Sequence, residues 1–207
     1  MNWMKKVAVA LVCLLPLGLQ AAKVDTLQVK SPSMNKSIEV VVVSPDVAAT
    51  KACPVIYLLH GYGGNARTWV GIKPDLSKIA DEKGIFFVCP DGKNTWYWDS
   101  PLNADVRYET FISDELVKYV DSHYKTVADR KGRAITGLSM GGHGAMWNGL
   151  RHSDVFSAAG STSGGVDIRP FPKNWEMSVQ IGEKAQYPEN WEKYTVINLV
   201  PTLRKDQ

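Results

Sequence analysis

Two kinds of apolar pattern alternate along this chain. Short continuous runs stand at residues 55–59 (VIYLL), 85–89 (IFFVC) and 133–136 (RAIT). Runs of that length without polar alternation are expected of central strands buried on both faces. Residues 24–29 alternate weakly and residues 37–43 (SIEVVVV) are rich in β-branched side chains, so both read as strands, with Ser31-Pro32-Ser33 as the turn between them. Residues 156–161 supply one more strand. Helical spacing appears at residues 74–83, where Leu76, Ile79 and Ala80 share a face and Gly84 follows as a stop. It appears again at residues 107–124, with Phe111, Leu116, Tyr119 and Val120 facing inward, and from Met140 to about Arg151. Residues 45–54 and the polar stretch through Trp69 read as loops. Beyond Ser163 the pattern thins, apart from a helix predicted over residues 191–199. Strand and helix in alternation argue for the α/β class, a mostly parallel sheet flanked by helices.

Composition adds a boundary and a compartment. Lys5 and Lys6 precede an apolar run over residues 7–19, followed by Gln20-Ala21-Ala22. A charged start, a short apolar centre and a small-residue end describe a secretory signal peptide over residues 1–22. The run falls short of the ~20 residues that span a bilayer, so no stable membrane anchor is expected. Cys13, inside the run, lacks the small-residue setting of a lipid-modified cysteine. The expected product is exported, periplasmic or extracellular, with one domain over residues 23–207. Losing Lys5 and Lys6 lowers the formal charge from +3 to +1, which gives no electrostatic case for nucleic acid. Cys53 and Cys89 would then sit at opposite ends of neighbouring parallel strands, too far apart for disulfide geometry, and both are expected unpaired and buried.

The chemistry centres on Gly137-Leu138-Ser139-Met140-Gly141, placed between a strand and a helix start. In that setting G-x-S-x-G makes a nucleophile elbow, with Ser139 at its apex. A serine on a strained turn crowds the residues two before and two after it, and glycine has no side chain to clash. The helix that follows aims free N–H groups and its positive dipole end at the reacting oxygen. A second glycine turn, His60-Gly61-Tyr62-Gly63-Gly64, follows the third predicted strand. Acyl transfer needs two N–H donors on the developing oxyanion. The residue after the nucleophile, Met140, supplies one, and the backbone N–H of Tyr62 is the candidate for the other.

Taken together, PVIYLLHGYGG (54–64), FFVCPDG (86–92), WYWDSP (96–101), YETFISDEL (108–116) and GLSMGGHGAM (137–146) resemble the esterase D-like family of α/β-hydrolases. That family includes S-formylglutathione hydrolases, the feruloyl and acetylxylan esterases of carbohydrate esterase family 1, and mycolyltransferases. The resemblance spans residues 24–165. It implies an α/β-hydrolase fold, Ser139 as nucleophile, and Tyr62 and Met140 as oxyanion donors. Asp99 and Glu109 match family positions, with no role fixed by their surroundings. Its triad runs Ser, then Asp, then His, and here the chain departs from it. Of the four histidines, His60 and His123 precede Ser139. His143 matches the family's elbow-helix histidine, which is not the base, and His152 lies near the helix's far end. Asp206, in a polar tail, is the only acid near the expected place. The triad Asp and His are not found, and the domain reads as C-terminally incomplete after about its sixth strand. Truncation is the favoured explanation over exchange between two copies. The last strand would then offer an unpaired edge for self-association.

The expected activity is a serine carboxylic-ester hydrolase that removes feruloyl or acetyl groups from plant polysaccharide through an acyl-enzyme on Ser139. Full activity is in doubt without the base. An acyltransferase of the same fold and a non-catalytic carbohydrate-binding remnant are the rival readings. Trp96 and Trp98 stand level between stacking on substrate and packing beneath the elbow, and Trp175 and Trp191 fall under the same choice. No cofactor is implied, and the acids and amides of residues 90–99 lack metal-ligand spacing.

Overall fold

The computed structural model describes residues 22–203. The expected signal peptide up to Ala21, with Cys13, and the tail acid Asp206 lie outside the described residues. Six strands form one sheet: β1 (Lys23–Ser31), β2 (Lys36–Ser44), β3 (Val55–Leu59), β4 (Phe86–Pro90), β5 (Arg133–Gly137) and β6 (Ala158–Ala159). Their order across the sheet is β1-β2-β4-β3-β5-β6. β4, β3, β5 and β6 run parallel. The β1–β2 hairpin extends one edge of this set, with β2 antiparallel to β4 and β1 antiparallel to β2. The sixth strand is shorter than its sequence suggests, although an isolated bridge from Leu138 to Thr162 continues the pairing.

The unbroken apolar runs follow from a sheet covered on both faces. Along β2, β3 and β4 alternate residues enter opposite cores. Val40, Val42, Val55, Tyr57, Leu59, Phe86 and Val88 face one, while Val41, Val43, Leu58, Phe87 and Cys89 face the other. Each fully buried Val, Leu or Phe contributes about 1.5–3 kcal/mol, so neither face tolerates a polar residue.

The helices are α1 (Thr68–Ile72), α2 (Leu76–Lys83), α3 (Tyr108–Thr110), α4 (Leu116–His123), α5 (Met140–Arg151), α6 (Met177–Ile181) and α7 (Pro188–Lys193). α2 buries Leu76 and Ala80 against the second core and ends on Gly84 at φ 63°, whose N–H closes on the Ala80 carbonyl. The long helix expected over 107–124 is α3 and α4 joined by a π turn (Phe111–Glu115). Its start is held by Asp99, whose carboxylate accepts from the Thr110 N–H (3.0 Å) and hydroxyl (2.6 Å). α1 forms where the polar stretch through Trp69 predicts a loop, and α6 lies in the thin-patterned stretch. In place of one helix over 191–199 there is α7, then a 3-10 segment (Val196–Thr202). Cys53 and Cys89 are both buried and unpaired, and burial pushes both thiols up. Among the described residues no helix is long and apolar enough to cross a membrane.

Candidate active site

The chain turns sharply between β5 and α5, and Ser139 sits at the turn with φ 55° and ψ −115°. A non-glycine residue at positive φ costs on the order of 1–3 kcal/mol. Main-chain bonds on every side hold it there. The Ser139 N–H donates to the Thr162 carbonyl (2.8 Å), and its own carbonyl accepts from the His143 N–H (3.0 Å). Leu138 N–H donates to Leu59 O (3.1 Å), tying the turn to the end of β3. The two flanking glycines are steric necessities: a Cβ on Gly137 would lie 2.2 Å from the Gly141 carbonyl oxygen, and one on Gly141 would lie 2.2 Å from that of Leu59. Ser139 itself is exposed.

The second glycine turn lies against this elbow. A Cβ on Gly61 would come within 3.5 Å of the Ser139 Cβ and 3.3 Å of the Leu138 oxygen. Tyr62, Ser139 and Met140 all line one cavity of about 280 Å³. Neither the Tyr62 N–H nor the Met140 N–H donates to any group among the described residues. The second of these belongs to the first turn of the twelve-residue α5, whose dipole favours negative charge there.

Aromatic rings line the rest of the cavity. Trp96, Phe171 and Trp175 join Ile168 and Met177 on its wall. The Trp96 and Trp175 rings are 6.3 Å apart, and Phe171 lies 5.5 Å from Trp175. The Trp96 indole donates to the Trp175 carbonyl (3.1 Å). Trp98 does not reach the cavity: it is fully buried, stacked behind Trp96 at 5.5 Å. The expectation that it contacts substrate is therefore corrected to packing beneath the elbow, while Trp96 lines the cavity wall. Trp191 is likewise fully buried, its indole bonded to the Gly182 carbonyl (2.9 Å).

None of the four histidines lines the cavity, and the Ser139 hydroxyl has no hydrogen-bond partner among the described residues. The Nδ1 of His143 lies 2.7 Å from the Gly165 carbonyl, and its Nε2 accepts from the Trp98 indole (3.0 Å). Burial lowers its pKa to about 4, so the ring is neutral and both nitrogens are committed. His152 Nε2 lies 2.8 Å from Glu109, which also accepts from Trp147 and Arg151. Burial raises the Glu109 pKa, and those bonds outweigh it to leave a lowered value. Glu109 thus ties α3 to α5. His123 bonds the Tyr119 carbonyl at the surface (2.8 Å). His60 lies beneath the Tyr62 turn, its Nδ1 2.7 Å from the Gly61 carbonyl. The sequence reading missed Asp167, which lines the cavity. Both of its oxygens accept from Arg169, which lowers its pKa, and no sequence motif marks it. Among the described residues no group of three His, Cys, Asp or Glu could hold a metal ion.

A family model described as putative esterase matches residues 31–206. The chain belongs to this esterase family. The chain is 31% identical over 149 residues to an esterase of Mycobacterium tuberculosis strain H37Rv, covering 69% of this chain and 32% of that protein. The chain thus spans about a third of the length of that curated relative. A solved ferulic acid esterase is 29% identical with a TM-score of 0.69, covering 90% of this chain and 74% of the other. The S-formylglutathione hydrolase from Agrobacterium tumefaciens, 22% identical with a TM-score of 0.73 over 88% of this chain and 72% of that one, shares the fold. The chain therefore has the α/β-hydrolase fold that its elbow and alternating elements lead one to expect.

Proposed function

We propose that this chain is an exported serine carboxylic-ester hydrolase that removes feruloyl or acetyl groups from plant polysaccharide. The observation that carries the reading is Ser139, exposed at a strained apex in the same cavity wall as two uncommitted main-chain amides. The Ser139 oxygen attacks the ester carbonyl carbon, and the carbonyl oxygen takes the negative charge between the Tyr62 and Met140 N–H groups. The bond to the alcohol then breaks, the alcohol leaves with a proton, and an acyl group remains on Ser139. Water attacks that acyl carbon and releases the acid. Phe171 and Trp175, both exposed on the cavity wall, offer ring faces to a planar hydroxycinnamoyl group, and the likeness to a ferulic acid esterase supports that choice.

A second reading rests on the histidines. With every ring committed elsewhere, the serine proton passes to solvent, and turnover is slow. In a worked serine-protease case the oxyanion hole and binding alone still gave ~10³–10⁴ over water. Release of p-nitrophenol from p-nitrophenyl acetate, and of ferulate from methyl ferulate, by the native chain and by Ser139→Ala decides between the readings. Ser139-dependent release of both products is expected. Equal rates for the two proteins would leave a carbohydrate-binding remnant in place of an enzyme.

A further inference from the structure

The Tyr62 amide is useful to an oxyanion only if it points into the cavity, and the structure shows what aims it. The peptide unit that carries this N–H also carries the Gly61 carbonyl, and in a planar trans peptide the two point in opposite directions. The Gly61 carbonyl is held twice from the protein side. It accepts from the Gly64 N–H (3.0 Å) and lies 2.7 Å from Nδ1 of His60. The His60 ring is almost fully buried, at 1% exposure, and is itself fixed. Its Nε2 accepts from the Gly92 N–H (2.9 Å), and its main-chain carbonyl accepts from the Tyr97 hydroxyl (3.1 Å). Space beside it is tight, since a Cβ on Gly64 would lie 2.9 Å from Nδ1.

The proton on this ring is settled by its neighbours. The Gly61 carbonyl can only accept, so Nδ1 must donate, and the Gly92 N–H can only donate, so Nε2 must be bare. The Asp91 carboxylate stands farther from Nε2, at 3.5 Å, and is occupied by the Lys93 N–H (2.9 Å) and ammonium (2.6 Å). The other side of the turn is also fastened: the Gly63 N–H donates to Asn94 Oδ1 (2.9 Å). His60 thus grips the Gly61–Tyr62 peptide that carries the N–H, and Asn94 grips the Tyr62–Gly63 peptide that follows it; both are anchored at the turn following β4.

We infer that His60, as the Nδ1–H tautomer, is a positioning residue that aims the Tyr62 N–H into the cavity by holding the Gly61 carbonyl. Asn94 steadies the same turn. The inference rests on the ester-hydrolase reading for its catalytic meaning, but not for its geometry. Two measurements test it. Imidazole ¹⁵N NMR at neutral pH should show the His60 proton on Nδ1; a proton on Nε2 overturns the inference. The second compares His60→Asn, whose amide nitrogen can replace Nδ1, with His60→Gln, whose amide reaches toward the Nε2 position instead. With the Ser139→Ala rate subtracted, His60→Asn should keep kcat for p-nitrophenyl acetate within about threefold, while His60→Gln loses about 10- to 100-fold with KM unchanged. Equal losses in the two variants, or a loss confined to KM, overturn it. Asn94→Ala should speed hydrogen exchange at the Gly63 amide by about five- to tenfold; unchanged exchange removes Asn94 from the claim. Should Ser139→Ala prove as active as the native chain, the hydrolase reading falls, and the His60 tautomer still decides whether the amide is aimed as stated.

Discussion

Gly141→Ala sets two known effects against each other, and the structure says which prevails. Gly141 is the second residue of α5. In an exposed helix, alanine would be favoured over glycine by about 1 kcal/mol. Here the added methyl would sit 2.2 Å from the Leu59 oxygen, 2.5 Å from the Leu59 carbon and 2.6 Å from the His60 oxygen. These are main-chain atoms where β3 leads into the Tyr62 turn, and no side chain can rotate away. A comfortable carbon–oxygen contact is about 3.3 Å, so β3 and α5 must separate by about 1 Å. Over-packing of this kind costs about 3 kcal/mol at the upper end of its usual range, leaving a net loss of about 2 kcal/mol after the helix gain. For a domain of this size the thermal midpoint should fall by about 4–8 °C. The Ser139-dependent ester rate should fall further, by about 100-fold, because the same 1 Å separates the serine from the Tyr62 amide. Circular dichroism melting and the p-nitrophenyl acetate rate read the two quantities. Gly71→Ala is the control, since nothing lies within 4 Å of its added Cβ, and it should be neutral or raise the midpoint slightly. A Gly141→Ala protein that melts at or above the native temperature would refute the claim that close main-chain approach dictates glycine at the elbow.

His143 predicts a pH dependence of stability. Its pKa falls from 6.5 to about 4 on burial, so the unfolded chain binds the proton more tightly than the folded one. Its contribution is therefore complete above pH 6.5 and is lost as the pH falls through that value toward 4, amounting to about 3 kcal/mol. Urea unfolding at a series of pH values should show this slope in the native chain and a flatter one in His143→Gln; parallel slopes would mean the ring is not buried neutral. Trp175 is 45% exposed although it lines the cavity, so Trp175→Ala should leave the core intact. It should raise KM for methyl ferulate about fivefold while leaving that for p-nitrophenyl acetate within about twofold, and equal effects on both esters would exclude ring stacking on the acyl group.

What the sequence made legible was set by short-range pattern. A strand buried on both faces must be apolar at every position, so VIYLL and IFFVC announce themselves; the first has its expected bounds and the second is shifted by one residue. The elbow is equally legible because its glycines stand at a fixed spacing around Ser139, although the contacts that demand them are Gly137 against Gly141 and Gly141 against Leu59 and His60. Elements fixed by distant packing were not legible. α6 is five residues long and offers too little periodicity to detect. The π turn between α3 and α4 keeps the inward face of Phe111, Leu116 and Val120, so its hydrophobic pattern is that of an ordinary helix. Trp96 and Trp98 are two apart in sequence and chemically alike, yet one meets the cavity and the other is sealed behind it. Both Trp96 and Tyr97 adopt positive φ, and that backbone twist, invisible in the residue types, sends the rings to different layers.

The same distinction explains how the site is built. Ser139, Tyr62 and Met140 owe their places to main-chain geometry: the elbow strain, the Thr162 and Leu59 carbonyls that hold it, and the gripped Gly61 peptide. Side chains that look catalytic in the sequence serve that geometry instead. His60 holds the Gly61 carbonyl, and His143 joins the Trp98 indole to the Gly165 carbonyl on the cavity wall. His152 completes the Glu109 cluster that ties α3 to α5. His60 and His143, with both ring nitrogens bonded inside the fold, cannot also swing to a hydroxyl at the surface without leaving a buried polar group unpaired, at about 1–3 kcal/mol for each group. On the proposed reading, the nucleophile and the oxyanion cradle are therefore set by rigid backbone, and the buried imidazoles of His60 and His143 keep that backbone in place.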